Sequence, residues 1–228
     1  MHIPTEVRIK RLNGFCGMVE EAWNRRIQGL IRGKRVLEIG CGYGTLVNRL
    51  TKNGFDVVGI DLDTEAIGVG KGLYKDADLK VADIYSDFDK GTKFDTVILK
   101  QVIHHLDIEK ALRRIDNLCK SEIIIFDPNP TPVVKFCRLI ARHVDPEAKI
   151  KDVISALKSL NYRIEKVQYS DVFAMPLSGG YVGIQIIPDN KRLNKFIIDL
   201  DRIFSKVFNI LKLNKIFCWR YLIYARKG

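Results

Sequence analysis

Short apolar runs alternate along the chain with stretches in which apolar residues recur every three to four positions. Five runs predict buried strands: RVLEI (Arg35–Ile39), DVVGIDLD (Asp56–Asp63), the opening of LKVADIYS (Leu79–Ser86), the first half of FDTVILKQVIHHL (Phe94–Leu106) and EIIIFDPNPTP (Glu122–Pro132). Between them lie helical stripes. Leu46, Val47 and Leu50 share one face, a helix opens near Thr64, another is capped by Asp107, and another runs over Val133–Val144. Val153, Ala156, Leu157 and Leu160 mark a further helix, followed by a sixth strand, and the alternating FCWRYLIYARKG (Phe217–Gly228) predicts a seventh. Strands and helices in alternation predict an α/β fold with a mostly parallel sheet and helices on both faces.

Two segments stand outside this alternation. Before the first strand, Met18, Val19, Ala22, Trp23, Ile27 and Leu30 recur at helical spacing within Phe15–Ile31. Between the last two strands, DVFAMPLSGGYVGIQIIPDNKRLNKFIIDLDRIFSKVFNILKLNK is far longer than a hairpin needs. It opens with an aromatic, proline and glycine-rich stretch around Met175 and Tyr181. It continues as an amphipathic helix whose stripe includes Phe196, Ile197, Leu200, Ile203, Phe204 and Val207. One reading packs that stripe as ordinary core; the other makes the helix a lid over an apolar pocket, with SGGYVG as its mobile edge.

The chemistry gathers where the first strand ends. Gly40, Gly42 and Gly44 let the backbone turn sharply and approach a ligand without Cβ interference. A dinucleotide fingerprint has a third glycine spaced as G-x-G-x-x-G, and Thr45 occupies that place here. Glu38, two residues before the turn, suits a cationic ligand and opposes a pyrophosphate. Asp61 closes the second strand, where a carboxylate can accept from ribose hydroxyls; alternatively it caps the helix starting near Thr64, a role Asp63 fills equally well. Asp83 and Ile84 follow the third strand and could meet an adenine edge and face.

The series VLEIGCGYG, VVGIDLD, VADI and FDTVILKQVIHHL closely resembles the class I S-adenosylmethionine (SAM)-dependent methyltransferases, in particular the small-molecule branch with HHL after the fourth strand. Its motifs cover roughly Lys34 to Asp127. The resemblance implies a Rossmann-like seven-stranded sheet in the order 3-2-1-4-5-7-6, its last strand antiparallel, with a helical insertion before that strand. It implies Glu38, Gly40, Cys41, Gly42 and Tyr43 around the methionine part of SAM, and Asp61 and Leu62 at ribose and adenine. Asp83 and Ile84 then border the adenine, and Lys100 and Gln101 lie beneath the sulfonium. Lys100 departs from the pattern, since a cation sits poorly beside a sulfonium unless it points away or pairs with an acid. In relatives a leading helix often covers the cofactor mouth; packing on the sheet edge is the other reading of Phe15–Ile31.

Methyl transfer from a sulfonium needs positioning before anything else, and a base only where the acceptor sheds a proton. His104 and His105 are the first candidates for that base, although structural roles suit both. Asp127 and Asn129, in a proline loop at the carboxyl end of the fifth strand, are candidates for substrate contact with Met175 and Tyr181. The DPNP stretch differs from the proline signature of amino-methylating DNA enzymes, which follows the fourth strand.

Composition fits a single domain: residues 1–33 as a helical cap, 34–168 as the SAM-binding core, 169–215 as a substrate-side insertion and 216–228 as the final strand. Five scattered cysteines, with no C-x-x-C pair, predict reduced thiols in a cytoplasmic protein with no metal site. With 38 Lys+Arg against 27 Asp+Glu the net charge is +11, which admits an anionic partner. The basic residues are dispersed and form no RNA-binding module. A small, rather hydrophobic acceptor (isoprenoid, quinone precursor, lipid or secondary metabolite) is the leading expectation. RNA methylation and SAM binding without catalysis are the alternatives. The chain is expected to be a monomer or homodimer without a transmembrane segment, at most touching a membrane peripherally.

Overall fold

The structure, a computed structural model, describes residues 5–86, 88, 91–135, 146–180 and 185–228. Seven strands form one sheet: β1 (Arg35–Ile39), β2 (Asp56–Asp61), β3 (Asp78–Val81), β4 (Phe94–Lys100), β5 (Cys119–Pro128), β6 (Tyr162–Ser170) and β7 (Arg220–Lys227). Their order is β3-β2-β1-β4-β5-β7-β6, as the motif series implies. The pairings β1 with β2, β1 with β4, β2 with β3 and β4 with β5 are all parallel.

The central strands are apolar on both faces. Val36, Leu37, Val97, Ile98, Leu99 and Ile123 through Phe126 are fully buried, as parallel strands covered by helices must be. Helix starts follow from local chemistry. Asp63 caps Thr64–Leu73, its carboxylate accepting from the Ala66 amide at 2.9 Å, and Asp107 caps Ile108–Leu118 through the Lys110 amide at 2.9 Å.

The chain divides into two compact units. One comprises Ile27–Asp127, Pro146–Val167 and Leu222–Gly228; the other comprises Met1–Arg26, Pro128–Asp145 and Gln168–Tyr221. The first holds the motif series. The second holds helices Thr5–Asn13, Ala174–Leu177, Lys191–Ile210 and Asn214–Phe217, together with most of Phe15–Gln28.

The second unit is organised around buried charge. Arg220 is almost wholly buried and donates to Glu20 and to Asp171, while the Trp23 indole donates to both Asp171 oxygens at 3.1 and 2.9 Å. Burial works against the Arg220 charge, but Asp171 and Glu20 outweigh it and push the guanidinium above its usual value. The long helix Lys191–Ile210 packs through Asn194, Ile197, Asp201 and Ser205. Asp201 accepts from the Phe173 and Ala174 amides at 2.7 and 2.9 Å, and Asn194 donates to Asp189 at 2.8 Å. Much of the apolar stripe expected as core therefore faces solvent, because polar side chains with specific partners hold the inner face. The predicted helix over Val133–Val144 lies largely outside the described residues.

Candidate active site

β1 ends in a turn where Gly40, Gly42 and Gly44 all have positive φ, at 70°, 52° and 75°. Two of these glycines are required by packing. A Cβ on Gly40 would stand 2.7 Å from the Val102 side chain, and one on Gly44 would stand 2.6 Å from Leu79. Gly42 differs, since a Cβ there would meet no protein atom within 4 Å. Its surface opens onto free space, where a ligand can approach the backbone.

Four amides of this turn are already engaged. Gly40 and Cys41 both donate to the Ile60 carbonyl, at 2.8 and 3.1 Å, and Gly44 donates to Cys41 at 2.9 Å. Gly42 donates to Asp61 Oδ2 at 2.7 Å, and Asp61 Oδ1 accepts from the Asp63 amide at 2.9 Å. Asp61 thus binds the end of β2 to the glycine turn and leaves helix capping to Asp63. Each of its oxygens keeps a further lone pair for a hydroxyl donor. A phosphate cradle needs backbone N–H groups pointing at the anion; these four point elsewhere.

The side chains around the turn suit a ligand that is cationic at one end and flat and apolar at the other. Glu38 is buried in β1. Leu62 and Val81, at the ends of β2 and β3, are 68% and 50% exposed, a large apolar area for a soluble surface. Ile84 is buried, and Asp83 is exposed with Oδ1 accepting from the Tyr85 amide at 2.9 Å, an Asx turn. Tyr43 is half-buried. Cys41 is buried, and desolvation, reinforced by Glu38 and Asp61, raises its thiol far above the usual range. It stays protonated, and no thiolate chemistry starts there.

At the end of β4, Lys100 is buried, and its charge partly offsets the rise that burial imposes on the Tyr74 phenol. Gln101 adopts φ 58°, a left-handed conformation rare for a side chain of its kind, and its amide donates to Phe126 at 2.7 Å. A 3-10 turn then carries His104 and His105. His104 Nδ1 lies 2.9 and 3.0 Å from the two oxygens of Asp127, which is fully buried at the end of β5. An ionised carboxylate only accepts, so Nδ1 carries the proton of this bond, and in a neutral ring Nε2 keeps its lone pair. His105 is exposed, its ring 4.0 Å from that of His104.

The remaining expected residues lie in the other unit. Asn129 is buried and spent on backbone, its amide donating to Trp219 at 2.7 Å and its side chain to Cys218 at 2.9 Å. Met175 sits half-buried in Ala174–Leu177, and its carbonyl accepts from Ser178 at 2.7 Å. Tyr181 lies outside the described residues. The His104–Asp127 pair, whose partners are 23 residues apart in the 3-10 turn after β4 and in β5, and the left-handed turn at Gln101 leave no signal in the local sequence.

Residues 37–126 match the family described as methyltransferase domain. That match takes in the glycine turn, Asp61, Asp83 and His104, and with the sheet order it supports a methyltransferase fold. The family uses S-adenosylmethionine. A ubiquinone biosynthesis O-methyltransferase of Azoarcus sp. is 29% identical over 112 residues, covering 46% of this chain; the chain spans only 42% of that protein's length. Among solved structures, a SAM-dependent methyltransferase of Archaeoglobus fulgidus superposes with TM-score 0.64 at 20% identity, covering 93% of this chain and 94% of that one. The magnesium protoporphyrin IX methyltransferase of Synechocystis PCC 6803 with bound SAH superposes with TM-score 0.60 at 16% identity, covering 93% and 83%. These likenesses show the fold; the acceptor must come from the site.

Proposed function

We propose that this protein transfers a methyl group from S-adenosylmethionine to a hydroxyl of a small molecule. One observation carries the cofactor reading: the Gly40, Cys41, Gly42 and Gly44 amides are consumed by Ile60, Asp61 and Cys41, while the carboxylates of Glu38 and Asp61 flank the turn, a setting that disfavours a phosphate. A phosphate-free nucleoside with a cationic end fits the acids and exposed apolar residues around it. S-adenosylmethionine supplies a methyl already activated as a sulfonium. In this reading Glu38 and the open backbone of Gly42 receive its methionine end, Asp61 the ribose hydroxyls, and Leu62 and Ile84 the adenine. Lys100 and Gln101 close the floor at the end of β4. Calorimetric titration tests this directly: SAM binds and NAD does not, and binding of NAD alone overturns it.

His104 and Asp127 support an oxygen acceptor. A hydroxyl attacking a methyl loses its proton, and a neutral imidazole held in one tautomer by a buried carboxylate can take it up. The similarity to O-methyltransferases points the same way. In His104→Asn the amide can still donate to Asp127, but the proton acceptor is gone. We expect kcat to fall by about 100-fold or more with the affinity for SAM unchanged. A fall in thermal stability with kcat intact would make His104 a structural residue.

A further inference from the structure

The helix Lys191–Ile210 has a face that nothing in its own unit covers. Phe196, Ile203 and Ile210 are 63%, 58% and 79% exposed, and Val207 beside them is exposed as well. At 3.6 residues per turn these four fall on one side of the helix, opposite the inward Asn194, Asp201 and Ser205. Leu211 and Ile216 extend the exposed apolar surface past the end of the helix. Along one flank of this face run Lys191, Lys195, Arg202 and Lys206, all exposed, with Arg192 at its upper edge. The acid beside them, Asp199, is already paired with Arg202 at 3.5 Å.

We propose that this face docks on an anionic lipid surface. An exposed helix with aromatic and branched side chains on one side and Lys and Arg on its flank is the pattern of a helix lying in the membrane interface. Its apolar residues enter the boundary of the acyl chains, and its cations meet the headgroups. Among the described residues no helix is long and apolar enough to span a bilayer, so contact by this helix is interfacial. Charge decides between a membrane and a second copy of the chain. A two-fold contact through this face would set each cationic flank against the same surface of its twin. A negative lipid surface neutralises that flank, in keeping with the net charge of +11. The inference does not rest on the methyl-transfer reading.

The test is flotation of the full chain with vesicles of phosphatidylcholine alone or with roughly one-third phosphatidylglycerol, at low and high salt. We expect partition onto the phosphatidylglycerol vesicles, weakened by salt, and a loss on the order of tenfold or more in Phe196→Ser/Ile203→Ser. Lys195→Glu/Lys206→Glu should release the protein from anionic vesicles to a similar degree. All four positions are exposed, so circular dichroism and calorimetric SAM binding should match wild type and show that the fold persists. Equal partition onto neutral vesicles, or none onto anionic ones, overturns the proposal. So does a dimer in light scattering that the Phe196→Ser/Ile203→Ser variant converts to monomer.

Discussion

Replacing Asp61 with Ala lowers the affinity for S-adenosylmethionine by about 100-fold, read by isothermal titration calorimetry. Two effects act together. The carboxylate holds the Gly42 amide at 2.7 Å and the Asp63 amide at 2.9 Å, so its loss loosens the glycine turn that must face the ligand. The same carboxylate supplies the acceptors proposed for the ribose hydroxyls, and charged hydrogen bonds are the stronger kind. Asp63→Ala separates these effects from helix capping. It removes the bond to Ala66 and should cost about 1 kcal/mol of stability while leaving SAM affinity within a few-fold of wild type. Equal losses of affinity in both variants would mean that Asp61 acts only through the local fold.

Replacing Arg220 with Ala should reduce unfolding stability by about 3–5 kcal/mol, read as a fall in urea midpoint at constant slope. The guanidinium sits between Glu20 and Asp171, with all three residues nearly inaccessible to water. Removing the cation strands two carboxylates in a medium that opposes their charge. The neutral triple variant Glu20→Gln/Asp171→Asn/Arg220→Met should be more stable than the single one, because it buries no unpaired charge. If the single substitution cost less than the triple, the network would be held by packing and not by charge balance.

The sheet was largely legible because its central strands are buried on both faces. Val97–Leu99 and Ile123–Phe126 read as unbroken apolar runs, and Val36–Ile39, interrupted only by Glu38, runs into the glycine turn. β1 and the caps at Asp63 and Asp107 fall where local chemistry predicts. β3 was harder to read: it is an edge strand of four residues with a single buried side chain, Leu79. What the sequence concealed are pairings between distant residues. Trp23 with Asp171, Glu20 with Arg220 and His104 with Asp127 leave no local period, since the partners lie 148, 200 and 23 residues apart. The stripe of Lys191–Ile210 misled for a related reason. Periodicity locates the apolar face of a helix, but the hydrogen bonds of Asp201 and Asn194 decide which face turns inward.

The reaction proposed is methyl transfer from S-adenosylmethionine to a small acceptor. Its most direct test is incubation of the protein with methyl-labelled SAM and a native extract, followed by separation into lipid, small-molecule, RNA and protein fractions. Label is expected in the lipid or small-molecule fraction, abolished by excess unlabelled SAM and strongly reduced with the His104→Asn variant. Label confined to RNA or protein would contradict it, whereas transfer unaffected by His104→Asn would remove only the proposed base.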